Sequence, residues 1–187
     1  MNLRTPIALM RRDAELCLVA NRWARHGAVR RYFAAISRLG DGVFWYALMA
    51  AIVLVRGMQG EWVDGLRASI HMAATGVVAL VLYQCLKRST RRRRPYADDA
   101  RIAAWIPALD EFSFPSGHTL HAVAFTLVAL GHYPILAWLL IPFSASVAAS
   151  RVVLGLHYPS DVLAATAIGS ILASASLWLV PGATLLH

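Results

Sequence analysis

Residues 162–180 read VLAATAIGSILASASLWLV, nineteen consecutive positions without a charged side chain. As one helix this run is long enough to cross the ~30 Å hydrocarbon core of a bilayer. Working back along the chain, further apolar runs lie at 133–149, 117–130, 68–86 and 42–58. The runs at 42–58 and 117–130 are short and need tilt or borrowed flanking residues to span. Gly and Ser recur inside several of them, as suits helices that approach closely in lipid. Trp45, Trp62, Tyr133, Trp138, Tyr158 and Trp178 fall mostly toward run ends, where amphipathic rings sit at the membrane–water boundary.

Composition points the same way. Of 187 residues, 58% are hydrophobic and 15% charged, against roughly 45–50% and 25% in soluble domains. These values exclude an ordinary soluble globule, and they exclude disorder, which needs low hydrophobicity with high net charge. The stretch 13–39 mixes Arg22, Arg25, Arg30, Arg31 and Arg38 with Leu16, Leu18, Trp23, Tyr32, Phe33 and Ile36. It is too charged to span and fits a helix, bent at Gly27, lying in the interface; an arm docked on the bundle is the alternative. The segment 7–10 is far shorter than the apolar core of a cleaved signal peptide. The fold class is therefore read as all-α, a polytopic transmembrane bundle of five to six spans in one domain, 1–187. Within it, 1–41 forms an N-terminal amphipathic interfacial arm and 42–187 the bundle. Cys17 and Cys85 lie far apart among apolar neighbours and read as buried free thiols.

A greasy chain with a formal net charge of +8 must put its charge somewhere. If all five runs span, the arm, the 87–113 loop and the 150–161 turn share one face, leaving only Arg56 and Arg67 among the basic residues on the other. The positive-inside rule places the basic face in the cytoplasm of a cell (inner) membrane. A phosphate-binding site would also gather cations on one face.

Three short strings meet on that face. They are Lys87 to Pro95 (KRSTRRRRP), Pro115-Ser116-Gly117-His118, and Ser150-Arg151 followed by His157 and Asp161. Each has a bland reading alone: a headgroup or nucleic-acid patch, a helix start, an interfacial hydrogen-bonded pair. Together they make a phosphotransfer site. Phosphoryl transfer needs charge neutralisation on the phosphate oxygens, an in-line nucleophile and an acid for the leaving group. Lys87, Arg94 and Arg151 supply the charge, the arginines through forked contacts. The backbone N–H groups of Gly117 and His118 start an apolar helix and point at an anion there. Asp161 can fold back onto the His157 imidazole, fixing its tautomer and making His157 the better nucleophile. His118, with no carboxylate adjacent in sequence, is the better general acid.

The pattern KxxxxxxRP, then PSGH, then SRxxxxxHxxxD resembles that of the type 2 phosphatidic acid phosphatase (PAP2) superfamily, with its motifs within 87–161. The resemblance implies an all-helical bundle and metal-independent, cofactor-free chemistry through a phosphohistidine on His157. It further implies His118 as proton donor, Asp161 as the partner of His157, and phosphate binding by Lys87, Arg94, Ser116, Gly117 and Arg151.

Outside the motif, Arg88, Arg91, Arg92 and Arg93 read as partners of anionic headgroups or of a second substrate phosphate, or as a plain interfacial patch. His71 and His121 read as packed, hydrogen-bonded histidines, with a functional role as the alternative. Asp98, Asp99, Asp110 and Glu111 flank the site without divalent-ligand spacing, so no metal is expected. The expected activity is an integral membrane phosphatase acting on a lipid phosphate or diphosphate in the bilayer. Substrate candidates are polyprenyl (undecaprenyl-type) diphosphate, phosphatidylglycerophosphate, phosphatidate and a lipid A phosphate; no nucleic-acid partner is expected. The rival is a non-enzymatic basic membrane protein that binds anionic headgroups.

Overall fold

The computed structural model describes residues 4–180, among which every regular element is helical. The expected domain's ends, 1–3 and 181–187, lie outside the described residues. The helices are α1 (Arg4–Trp23), α2 (Gly27–Arg38), α3 (Phe44–Met58), α4 (Trp62–Thr90), a short α5 (Pro95–Asp98), α6 (Gly117–His132), α7 (Ala137–Val153) and α8 (Pro159–Leu179). A π-helical turn, Leu39–Val43, joins α2 to α3, and a 3-10 turn, Pro134–Leu136, leads into α7.

Four helical stretches are long and apolar enough to cross a membrane: Gly27–Met58, Trp62–Asp98, Pro134–Val153 and Pro159–Leu179. This is fewer than the five to six expected, and α6 accounts for the difference. At 16 residues it is about 24 Å long, and other helices sheathe it. α6 packs against α4, α7 and α8 and buries Leu120, Ala122, Phe125, Val128 and Ala129. Close packing with α8 depends on Gly169, where an added Cβ would stand 2.9 Å from the Leu120 carbonyl oxygen. The main core gathers Trp45, Ile52, Met72, Phe125, Leu140, Phe143 and Val147. The outer faces carry large exposed apolar side chains, Trp138 at 87% exposure among them, as expected of surfaces solvated by lipid.

The N-terminal segment breaks at residues 24–26, immediately before Gly27. α1 turns one face, Asp13, Cys17 and Asn21, onto the turn between α7 and α8. The Asn21 amide donates to the Ala103 (2.9 Å) and Val153 (3.0 Å) carbonyls. Burial pushes the Cys17 thiol up to about 12. Cys85, expected to be buried, is exposed on α4. α2 runs through the π-turn into α3, so the expected boundary at 41 falls inside that turn.

His71 and His121 are hydrogen-bonded. His71 Nδ1 lies 3.0 Å from His132 Nε2, with Ser176 on its other nitrogen. His121 lies 3.0 Å from the Gly117 carbonyl and 3.1 Å from that of Gly76, tying α6 to α4.

Candidate active site

Five separate pieces of chain converge on one end of the bundle. α4 ends where Arg91 adopts a left-handed conformation (φ 48°), turning the chain back across the helix ends. Lys87 lies in the last turn of α4 and Arg94 caps α5, each almost fully buried. Lys87 Nζ donates to both Asp110 carboxylate oxygens at 2.7 Å and to the Phe112 carbonyl at 3.0 Å. Arg94 donates to the Asp110 carboxylate (2.8 Å) and carbonyl (2.9 Å) and to the Leu156 carbonyl (2.8 Å). Asp110 therefore supplies the anion that both cations hold. Burial works to raise its pKa, but hydrogen bonds and charge from Lys87 and Arg94 prevail and keep it below the ordinary carboxylate value.

Arg151 reaches the site from α7. It is 2% exposed, donates to the Ser37 hydroxyl and leaves its Nε without a partner. A buried guanidinium with an open donor is set up to receive an anion.

The α7–α8 turn positions His157, which is fully buried. Its Nδ1–H donates to the Ser113 carbonyl at 2.6 Å, which leaves Nε2 as the lone-pair nitrogen, 3.3 Å from Arg94 Nη1. Burial, then the charges of Arg151, Arg94 and Lys87, hold the imidazole pKa well below the ordinary histidine value; the Ser113 hydrogen bond opposes them. Asp161 is brought to the same nitrogen as expected, its Oδ2 3.7 Å from Nδ1, while the closer hydrogen bond is to the carbonyl. Oδ2 caps α8 by accepting the Tyr158 N–H (2.8 Å), and Oδ1 accepts from Arg92 Nη1 (2.7 Å).

Ser116 caps α6 and is completely buried, its hydroxyl 2.9 Å from that of Thr119. It is not among the residues lining the cavity. Gly117 does line the cavity, and an added Cβ would meet the Tyr83 ring at 3.3 Å. His118, in the first turn of α6, hydrogen-bonds through Nε2 to Asp41.

These residues open on one cavity of about 740 Å³. Lys87, Arg94, Arg151, His118 and His157 line its polar end. From there it runs between α3 and α4, past Trp45 and Met49 on one side and Ala73, Val77 and Leu80 on the other. Asp41, Asp110, Ser113 and Ser37 were not singled out as site residues from sequence. The two glycines bracketing Asp41 were the one available signal. Of the arginine run, Arg92 is drawn inward between Asp13 (2.6 Å) and Asp161, which overturns its reading as a headgroup cation. Arg93 pairs with Asp98 at the surface (3.1 Å), and Arg88 lines the cavity.

Known proteins carry the same architecture. A transmembrane PAP2-type phosphatidylglycerolphosphate phosphatase from Bacillus subtilis superposes with a TM-score of 0.74 at 23% identity, covering 96% of this chain and 90% of that one. Phosphatidylglycerophosphatase B of Escherichia coli is 28% identical over 155 residues, 72% of this chain and 59% of its own length. Decaprenylphosphoryl-5-phosphoribose phosphatase of Mycobacterium tuberculosis is 35% identical over 127 residues, 66% of this chain and 63% of its own length. The chain thus spans about three fifths of each of these two relatives. The PAP2 superfamily model matches residues 66–184, from the start of α4 past the end of α8 and through every motif residue described above, and on that match the chain belongs to the PAP2 superfamily.

Proposed function

We propose that the protein is an integral membrane phosphatase that removes the terminal phosphate of a lipid phosphate or diphosphate through a phosphohistidine on His157. One observation carries this reading: the cavity joins a pole of three cations and two histidines to an apolar groove between α3 and α4. Such a shape suits a phosphate head with a hydrocarbon tail.

In the proposed reaction the phosphate enters among Lys87, Arg94 and the open Nε of Arg151, and the first N–H groups of α6 face the same anion. His157 Nε2 attacks phosphorus in line. The P–N bond forms as the bond to the leaving oxygen breaks, and His118 gives that oxygen a proton. Neutral His118 then takes a proton from water, whose oxygen attacks phosphorus and releases His157 and orthophosphate. Asp161 holds the start of α8, and with it the His157 turn, in place. Ser116 serves as the α6 cap. The fixed cations supply the charge neutralisation, so the reaction is expected to need no divalent metal.

The test is phosphate release by purified protein in detergent from dioctanoyl phosphatidate, phosphatidylglycerophosphate, farnesyl diphosphate and lipid A 1-phosphate. Turnover of at least one, inhibited by vanadate and unaffected by EDTA, is expected. Binding of anionic vesicles without release from any of the four would instead identify a headgroup-binding protein.

The cationic asymmetry of the sequence supports a cytoplasmic active face. A cysteine substituted at Asp98, after the exposed Cys85 is replaced by serine, should resist a membrane-impermeant maleimide added to intact cells. Ready labelling from outside would reverse the orientation.

A further inference from the structure

The two histidines of the site are held by different acceptors, and the difference in charge between those acceptors matters. His157 Nδ1–H meets a neutral carbonyl, Ser113. His118 Nε2 meets a carboxylate, Asp41, seventy-seven positions earlier in the chain. A carbonyl holds a neutral imidazole and leaves a lone pair for attack. A carboxylate stabilises an imidazolium, the form able to give a proton away. Apart from this contact His118 has no side-chain hydrogen bond among the described residues, so its Nδ1 is the nitrogen left to serve the cavity that the ring lines.

The chain around Asp41 is shaped to make that contact. Asp41 sits in the π-helical turn between α2 and α3, flanked by Gly40 and Gly42. An added Cβ on Gly40 would stand 3.2 Å from Val147 and 3.9 Å from the His118 ring. Gly42 has φ +132°, a conformation that side-chain-bearing residues rarely adopt. One glycine lets the turn close on α6 and α7, and the other turns the backbone beside the carboxylate. Arg151 faces the His118 ring from α7 and His121 from within α6, while Arg38 faces Asp41 from α2. Burial first, and then the charge of Arg151, hold the His118 imidazole below the ordinary histidine value, and Asp41 is the anion that works against them.

We propose that Asp41 is a positioning residue for the reaction, holding His118 in the orientation and protonation state of a proton donor. This rests on the phosphatase reading and on His118 as the acid. Loss of a positioned acid costs about 10²–10⁴-fold, and loss of the group that orients it costs part of that.

The test is a double-mutant cycle on whichever of the four lipids the wild type turns over fastest. Asp41→Asn is expected to lower kcat roughly 10–100-fold while KM stays within about twofold, with Asp41→Glu recovering part of the loss. In a His118→Asn background the same Asp41→Asn change should add nothing. Vanadate-induced thermal stabilisation, unchanged in Asp41→Asn, shows that the variant folds and its phosphate site is intact. Losses that multiply in the double variant, or an effect on KM alone, would overturn the assignment. Absence of wild-type release from every lipid would count against the phosphatase reading itself, which separates the two failures.

Discussion

Replacing His157 with alanine is expected to lower phosphate release by about 10⁴-fold or more, while vanadate still binds more weakly through Lys87, Arg94 and Arg151. The size follows from the arrangement. The nitrogen facing Arg94 and the cavity is the lone-pair nitrogen of a fixed tautomer, and it is the nucleophile of the proposed reaction. The same burial and cationic surroundings that hold the imidazole neutral also set its pH behaviour. Because the folded-state pKa is depressed, the nucleophile stays unprotonated well below the ordinary value of about 6.5. The acid limb of kcat/KM, which reports the free enzyme, should therefore lie below that value. A bound phosphate dianion screens the three cations, so the acid limb of kcat should lie at higher pH than that of kcat/KM. The stability that neutral His157 contributes is present above about 6.5 and is lost as pH falls below it. Unaltered phosphate release by His157→Ala would remove it from the mechanism.

The second large effect is structural. Arg92→Ala is expected to destabilise the protein by about 3–5 kcal/mol, lowering the detergent unfolding midpoint by roughly 10 °C. Arg92 joins three elements. Nη2 bonds Asp13 of α1 at 2.6 Å, while Nη1 bonds Asp161 (2.7 Å) and the Ser160 hydroxyl (2.6 Å) at the start of α8. Its guanidinium also lies over the Tyr158 ring, 4.2 Å from the centroid. Asp13 is 6% exposed and Asp161 fully buried, so deleting the arginine leaves two carboxylates without their counter-charge in a poorly solvated place. Arg93→Ala is the matched control. Its ion pair with Asp98 is at the surface, and such pairs contribute about 0–1 kcal/mol. Equal midpoints for the two variants would refute the clamp. Activity of Arg92→Ala should fall too, since Asp161 caps the helix that follows the nucleophile.

The helical bundle was legible because solvation by lipid demands long apolar runs, and five of the eight helices lie on the five runs. The sequence could not show which run is wrapped by its neighbours. The 117–130 run is as apolar as the others, but its burial depends on contacts made by α4, α7 and α8. The gathering of Lys87, Arg94, His118, Arg151 and His157 around one cavity was legible because their spacing along the apolar runs brings them to one face. Ser113 was not, because it contributes a carbonyl, which every residue possesses. Asp41 was hidden by distance along the chain. Arg92 differs from Arg91 and Arg93 only in where the chain turns after α4, which is a property of the fold rather than of the residue. Cys85 sits in an apolar run yet faces outward, because apolar neighbours along a membrane helix do not imply a protein interior.

Asp110 bears on how a catalytic cycle can end. Three buried cations with no anion beside them would grip orthophosphate, and pulling the product away would mean separating charge. The loop after α5 carries an anion of its own, already bonded to Lys87 and Arg94 in the ligand-free protein. In the proposed reaction, departure of the product is then a ligand substitution at Lys87 and Arg94, carboxylate for phosphate. Substrate arrival would be the same exchange in reverse, so affinity for a phosphate would be set by how much better it binds than the tethered competitor.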